Sequence, residues 1–210
     1  MDRITDRIYL GDINGCSNLY QLRKNKITHI LTMAAGIKPL YRKEFKYKVY
    51  NIIDLPSQNI LPYLDKAIEF INRVVTQGGR VLVHCFAGMS RSATTVIAYF
   101  MATRKMTFME AFNFVKKRRP IIFPNFGFQK QLMEFEKQLQ ERSKLKQIKY
   151  NKSNEETKVT IDRRENDKNS LTPYTKRVKF NSYERKRVDH SPMKAQHISE
   201  QVKPTQFHYP

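Results

Sequence analysis

The twelve residues from Val81 to Ser92, VLVHCFAGMSRS, restrict the fold more tightly than any other part of the chain. Val81, Leu82 and Val83 form an apolar, β-branched run that reads as a short buried strand. From Arg91 to Met101 the residues Val96, Ile97, Phe100 and Met101 recur at helical spacing. Between them lies a turn containing Gly88. Such a turn aims successive backbone N–H groups at one centre, and the positive end of the following helix dipole points the same way. That concavity favours an anion. Cys85 stands at its base, where the same field favours a thiolate. Arg91, at its far end, can set a planar guanidinium across two phosphate oxygens, a bidentate fit that lysine lacks. Phe86, Ala87, Gly88, Met89, Ser90 and Arg91 are therefore the expected phosphate-contacting residues.

A lone cysteine is commonly a small buried hydrophobe, and it is the strand, loop and helix around Cys85 that set it apart. Cys16 follows Asp12-Ile13-Asn14-Gly15 and reads as partly buried filler. Two distant cysteines do not argue for a structural disulfide, although an oxidised Cys85 would have Cys16 as a partner for a redox link. A phosphoester oxygen needs a proton to depart, so the chemistry calls for a general acid on a separate loop. Asp54 lies in Asn51-Ile52-Ile53-Asp54-Leu55-Pro56-Ser57-Gln58-Asn59-Ile60, where Pro56 and its polar neighbours mark a loop between a strand and a helix. Taken alone, this aspartate fits a turn or helix-flanking role equally well. Asp65 falls inside the helical pattern Leu64, Ala67, Ile68, Ile71, Val74, Val75 and is expected to face solvent.

Cys85-Phe86-Ala87-Gly88-Met89-Ser90-Arg91-Ser92-Ala93-Thr94 resembles the Cys-x5-Arg loop of the protein tyrosine phosphatase superfamily. The particular likeness is to dual-specificity phosphatases of the atypical kind, similar to the catalytic domain of MAP kinase phosphatases. Ala98-Tyr99-Phe100-Met101 resembles the next helix of that family, and Arg118-Arg119-Pro120-Ile121-Ile122-Phe123-Pro124-Asn125-Phe126-Gly127-Phe128, followed by Gln131-Leu132, resembles its closing segment. The similarity runs from about Ile4 to Glu136. It implies hydrolysis of phosphotyrosine and phosphoserine or phosphothreonine through a phosphocysteine, without metal or cofactor. Cys85 would be the nucleophile, Arg91 the phosphate and transition-state ligand, and Asp54, six residues before Ile60, the general acid and base. Ser92 would stabilise the departing thiolate. His84 would orient Cys85 and support its thiolate, and Asn125 would hold the backbone of the phosphate loop. Asn125 also reads as a helix N-cap, since Phe128, Leu132, Phe135 and Leu139 follow it at helical spacing.

Two other functions share these residues: a phosphatase of RNA 5′-triphosphates or phosphoinositides, and a weakly active protein that sequesters phosphoproteins. Phosphoinositide enzymes of the superfamily often carry lysines inside the loop, where this chain has Phe86, Ala87, Met89 and Ser90. No Lys-Asn-Arg-Tyr segment, the wall of the deep phosphotyrosine-only pocket, is found. Phosphorylated proteins, a MAP kinase among them, are the expected partners.

The expected architecture is α/β, with a central, largely parallel twisted sheet flanked by helices. Strands fall near Ile8–Leu10, Thr28–Met33, Tyr47–Ile53 and Arg80–His84. Helices fall near Leu19–Asn25, Pro62–Gln77, Ser92–Thr103, Thr107–Arg118 and Gly127–Lys144. Residues 1–146 form the catalytic domain. Beyond them apolar residues thin out, and 147–210 read as a disordered, basic tail. The formal net charge is +20, of which residues 1–140, with 22 Lys+Arg against 10 Asp+Glu, carry +12. Such a field steers phosphorylated, acidic substrates and attracts nucleic acid only without specificity. The Lys116-Lys117-Arg118-Arg119 run ends a helix whose dipole cations complement. No apolar run approaches the ~18 residues of a membrane span, and nothing near Met1 reads as a signal peptide, so the expected location is cytoplasmic, nuclear or both. In the tail, Arg185-Lys186-Arg187-Val188 reads as a nuclear-localisation or kinase-docking element, and Thr172-Pro173 and Ser191-Pro192 as proline-directed phosphorylation sites.

Overall fold

The computed structural model describes residues 1–168, with side chains to residue 152. Its centre is a five-stranded sheet in the order β1-β2-β5-β3-β4. The strands are β1 (Asp2–Arg3), β2 (Ile8–Gly11), β3 (His29–Met33), β4 (Lys46–Tyr50) and β5 (Val81–His84). β1 pairs antiparallel with β2, and every other pairing is parallel. The expected α/β class with a largely parallel sheet is what the chain adopts.

Parallel strands covered on both faces read as continuous apolar runs, and both β2 and β5 are buried throughout. Alternate residues serve opposite layers. Ile8, Leu10, Leu31, Met33, Val81 and Val83 join a large core with α3 (Leu61–Thr76), α4 (Arg91–Arg104), α5 (Phe108–Lys116) and α6 (Phe126–Lys168). Tyr9, Ile30 and Leu82 face a smaller cluster with Cys16, Leu22, Ile27 and Phe45, contributed by α1 (Ile13–Ser17), α2 (Leu19–Lys24), the connection from α2 to β3 and the chain before β4. β4 is one of the two edge strands, and its Lys46 and Lys48 keep that edge charged. Helix α4 is buried from Ser92 to Met101, so it is apolar or small on all sides. Helix α5 starts at a capping box, with Thr107 and Glu110 each bonded to the other's backbone.

Three expectations are corrected. The strand expected over Tyr47–Ile53 ends at Tyr50. Ile52 leaves the ladder because its carbonyl is taken by the Ala35 N–H, at 3.1 Å, and by Arg91. Two short elements, β1 and α1, carry too few residues to show a period, and α1 exists because Asp12 caps it by accepting from the Gly15 N–H at 2.7 Å. The helix expected to stop at Lys144 continues to Lys168, so the first part of the supposed tail is helical. Charged and polar residues around Leu145, Ile148 and Tyr150 are compatible with a helix that lies in water. The chain divides into two compact units, Met1–Ile161 and Asp162–Pro210. In the second, only the helical residues to Lys168 are described, and Thr172, Ser191 and Arg185-Lys186-Arg187-Val188 lie outside the described residues. Among the described residues no helix is long and apolar enough to cross a membrane.

Candidate active site

β5 is the middle strand, and its carboxyl end releases the loop from Cys85 to Ser90. Parallel sheets place their ligands at this end. Cys85 is buried, and its sulfur accepts from the Gly88 N–H and from the Ser92 hydroxyl, each at 3.2 Å. The loop thus folds back over the sulfur, and α4 begins with Arg91 directly behind it. Gly88 has φ +67°, and a Cβ there would collide with the Gly11 carbonyl and the Arg119 guanidinium. Only glycine permits this turn at low cost.

Arg91 reaches across to the segment after β4. Its Nη1 donates to the Ile52 carbonyl at 3.0 Å, and its Nε lies 3.3 Å from Asp54 Oδ2. The Nε contact is an ion pair without hydrogen-bond geometry, and Nε is buried with that donor unmet. Buried donors are ordinarily satisfied, so this N–H is available to an anion. Asp54 Oδ1 accepts from Ser90 Oγ at 2.7 Å and from Asn125 Nδ2 at 2.8 Å. Three segments therefore meet at one carboxylate.

The structure brings together Cys85, Arg91, Asp54, Ser92, His84 and Asn125, and it modifies three expected contacts. Asn125 caps α6, its Oδ1 accepting from the Phe128 N–H at 2.9 Å, but its amide holds Asp54 rather than the loop backbone. Its own N–H donates to Ser90 Oγ at 3.1 Å. Ser90 spends its hydroxyl on Asp54, so any contact from Ser90 to substrate is left to its backbone. His84 orients Cys85 through a bond to its carbonyl rather than to its sulfur. Burial drives its pKa down to about 4, against smaller upward pulls from the Cys85 carbonyl and Asp12. Neutral, it donates from Nδ1 to that carbonyl, 3.2 Å away, and accepts at Nε2 from the Thr32 hydroxyl, 2.8 Å away. It fixes the backbone of the nucleophile. Phe86, Ala87 and Met89 are exposed along the loop, while Gly88 is buried.

The loop is held from behind by Arg119, which in the sequence is one cation of a basic run at a helix end. Arg119 is buried; its Nε donates to the Gly88 carbonyl at 2.9 Å, its Nη1 to Asp2 at 2.6 Å, and its Nη2 lies 3.3 Å from an Asp12 carboxylate oxygen. The Phe123 N–H adds a bond to the Met89 carbonyl at 2.9 Å. The one sequence signal for Arg119 was its place beside Pro120, where a helix must stop. Gly127 permits the start of α6 to press on the backbone of Pro56, where a Cβ would overlap the carbonyl. A cavity of about 420 Å³ lies on the other side of His84 and Phe86, lined also by Cys16, Leu40 and Tyr47, and it excludes Cys85, Arg91 and Asp54. Both cysteines are free; the Cys16 thiol donates to the Ile13 carbonyl at 3.2 Å.

A strand-loop-helix with a buried thiol at its base, an unmet guanidinium N–H and a carboxylate on a separate loop defines a cysteine-dependent phosphatase site. Residues 8–138 match the family model described as dual specificity phosphatase, catalytic domain. "Dual specificity protein phosphatase 1" of Arabidopsis thaliana is 42% identical over 137 residues, covering 65% of this chain and 69% of the relative. "MAP kinase phosphatase with leucine-rich repeats protein 1" of Dictyostelium discoideum is 46% identical over 138 residues, 66% of this chain but 16% of that protein. The crystal structure of a human tyrosine phosphatase-like serine/threonine/tyrosine-interacting protein superposes with a TM-score of 0.63 at 41% identity, covering 65% of this chain and 95% of the other. The chain belongs to the dual specificity phosphatase family, within the protein tyrosine phosphatase superfamily. It is a protein phosphatase.

Proposed function

We propose that Cys85, Arg91, Asp54 and Ser92 carry out a two-step phosphoryl transfer on phosphorylated proteins. The Cys85 thiolate attacks phosphorus while the bond to the side-chain oxygen breaks, and the Asp54 carboxyl passes its proton to that oxygen. Arg91 gathers the equatorial oxygens, and the phosphate dianion competes with Asp54 for its guanidinium, which frees the carboxyl for proton transfer. Water then attacks the phosphocysteine and yields its proton to Asp54. The sulfur leaves as thiolate, stabilised by the Ser92 hydroxyl and the Gly88 N–H. The single observation that carries this reading is the Cys85 sulfur receiving two donors beside the unmet Arg91 Nε.

The proposed catalytic unit lies within residues 1–146, a reading supported by the family match ending at 138. Phosphorylated MAP kinases are the proposed substrates, a reading supported by the name of the Dictyostelium relative. The proposed setting is cytoplasm and nucleus, which the basic run Arg185-Lys186-Arg187 favours. A pure binder has no need of a nucleophile, and a loop free of lysine gives phosphoinositides little extra charge to hold.

The test sets phosphopeptides, an aryl phosphate, RNA 5′-triphosphates and phosphoinositides side by side. Turnover of phosphopeptides and aryl phosphate by the parent, lost in Cys85→Ser with phosphopeptide binding kept, is the expected result. Asp54→Ala is expected to slow phosphopeptides far more than an aryl phosphate with a good leaving group. Preferential turnover of RNA or lipid, or wild-type-like activity in Cys85→Ser, would refute the assignment.

A further inference from the structure

The hydrogen bonds at Asp54 draw three chain segments to one point: the Asp54 loop, the phosphate loop through Ser90, and the start of α6 through Asn125. Each segment carries large, solvent-exposed apolar side chains next in sequence to those residues. Ile53 and Leu55 flank Asp54, Met89 precedes Ser90, and Phe126 follows Asn125. Phe123 completes the arc through its backbone bond to Met89. These five are 53%, 51%, 39%, 64% and 65% exposed for Ile53, Leu55, Met89, Phe126 and Phe123.

Single exposed apolar residues are ordinary, but a contiguous group of them marks an interaction surface. Here the group borders the catalytic carboxylate, and all five side chains are uncharged although residues 1–140 carry a net +12. One cation stands over Phe126: the Lys130 Nζ lies 4.4 Å from the ring centroid.

We propose that this rim binds large apolar side chains next to the phosphoresidue of a protein substrate, an inference that rests on the phosphatase reading above. Continuity with the cleft identifies the occupant. A phosphoresidue seated over Cys85 must carry its own polypeptide across the rim, and neighbouring residues in an extended chain lie within about 3.3–3.6 Å per residue. Net positive charge steers the phosphorylated partner at long range, while the apolar rim selects among partners at contact. The residues that favour a substrate are then apolar neighbours of the phosphate, not acidic ones.

The full chain would be assayed on phosphotyrosine peptides that differ only in the flanking pair, Leu and Phe against Ala or against Asp, with a small aryl phosphate as reference. The expected preference for the apolar pair is about tenfold in kcat/KM. The double variant Phe123→Ser and Phe126→Ser is expected to erase that preference, read as the ratio of peptide to aryl phosphate turnover, so that a partly unfolded variant does not mimic the effect. Equal turnover of the three peptides by the parent would overturn the proposal. So would rim-dependent binding to phosphatidylcholine and phosphatidylserine vesicles without a peptide preference, which would assign the rim to a lipid surface. Failure to hydrolyse any of the peptides and the aryl phosphate would instead remove the phosphatase reading, and the rim proposal with it.

Discussion

Replacing Arg119 with alanine removes a buried guanidinium that ties the phosphate loop to Asp2 on β1 and to Asp12 before α1. A hydrogen bond from a charged donor contributes about 1.5–3 kcal/mol, and the Gly88 carbonyl loses such a bond. Breaking a fully buried pair costs about 3–5 kcal/mol. Both carboxylates here are half-buried and recover water once Arg119 is gone, so the lower end applies, about 3 kcal/mol. For a domain near 150 residues this lowers Tm by about 10 °C. The catalytic effect follows from Gly88, whose N–H points at the Cys85 sulfur. A displacement of about 1 Å in such a loop costs on the order of 100-fold in rate. Lysine at this position keeps the charge but gathers its donors on one nitrogen, where Arg119 serves three acceptors from three separate nitrogens, so Arg119→Lys is expected to recover Tm in part and turnover little. Thermal melting and kcat/KM on an aryl phosphate measure both. An Arg119→Ala protein that melts within about 2 °C of the parent and turns over at the parental rate would refute the clamp. The clamp also has a pH signature. Burial alone would raise the Asp12 carboxyl, but the Gly15 N–H, the amino group of Met1 and Arg119 together hold it below its ordinary value. Its contribution is therefore full above about pH 4 and is lost as pH falls through the lowered value.

Three further outcomes are expected. His84 titrates near 4 in the folded protein against about 6.5 unfolded, so only the unfolded state takes the proton in between. Stability is then full above about pH 6.5 and falls by up to ~3 kcal/mol as the pH drops to about 4, a slope that His84→Gln should flatten in denaturant titrations; an unchanged slope would contradict the neutral histidine. Asn125→Ala loses a helix cap worth about 1 kcal/mol and also frees Asp54. Its activity is expected to fall more on phosphopeptides than on an aryl phosphate with a good leaving group, and an equal loss on both would mean that Asn125 serves the helix alone. Burial raises the Cys16 thiol above its ordinary value, so iodoacetamide at neutral pH is expected to label Cys85 first and vanadate to block that labelling. Peptide mapping that finds Cys16 labelled first would oppose the assignment of the nucleophile.

The strand-loop-helix around Cys85 was legible in the sequence because its constraints are local. An apolar run, a turn with one glycine and a helical period each act over a few residues, and Cys85, Gly88, Arg91 and Ser92 share that stretch. The parallel sheet and its order of helices followed from the same periodicities. What tertiary structure alone decided was which distant groups complete the site. Asn125 was legible as a helix cap, yet its amide is spent on an aspartate 71 positions away. Arg119 reads as one more cation in a basic run until folding buries it against Gly88, Asp2 and Asp12. His84 is placed beside Cys85 by the sequence, but that it stays neutral follows only from burial, because the interior cannot solvate its charge. Burial and long-range hydrogen bonding depend on what the rest of the chain brings alongside, and no short window of residues carries that information.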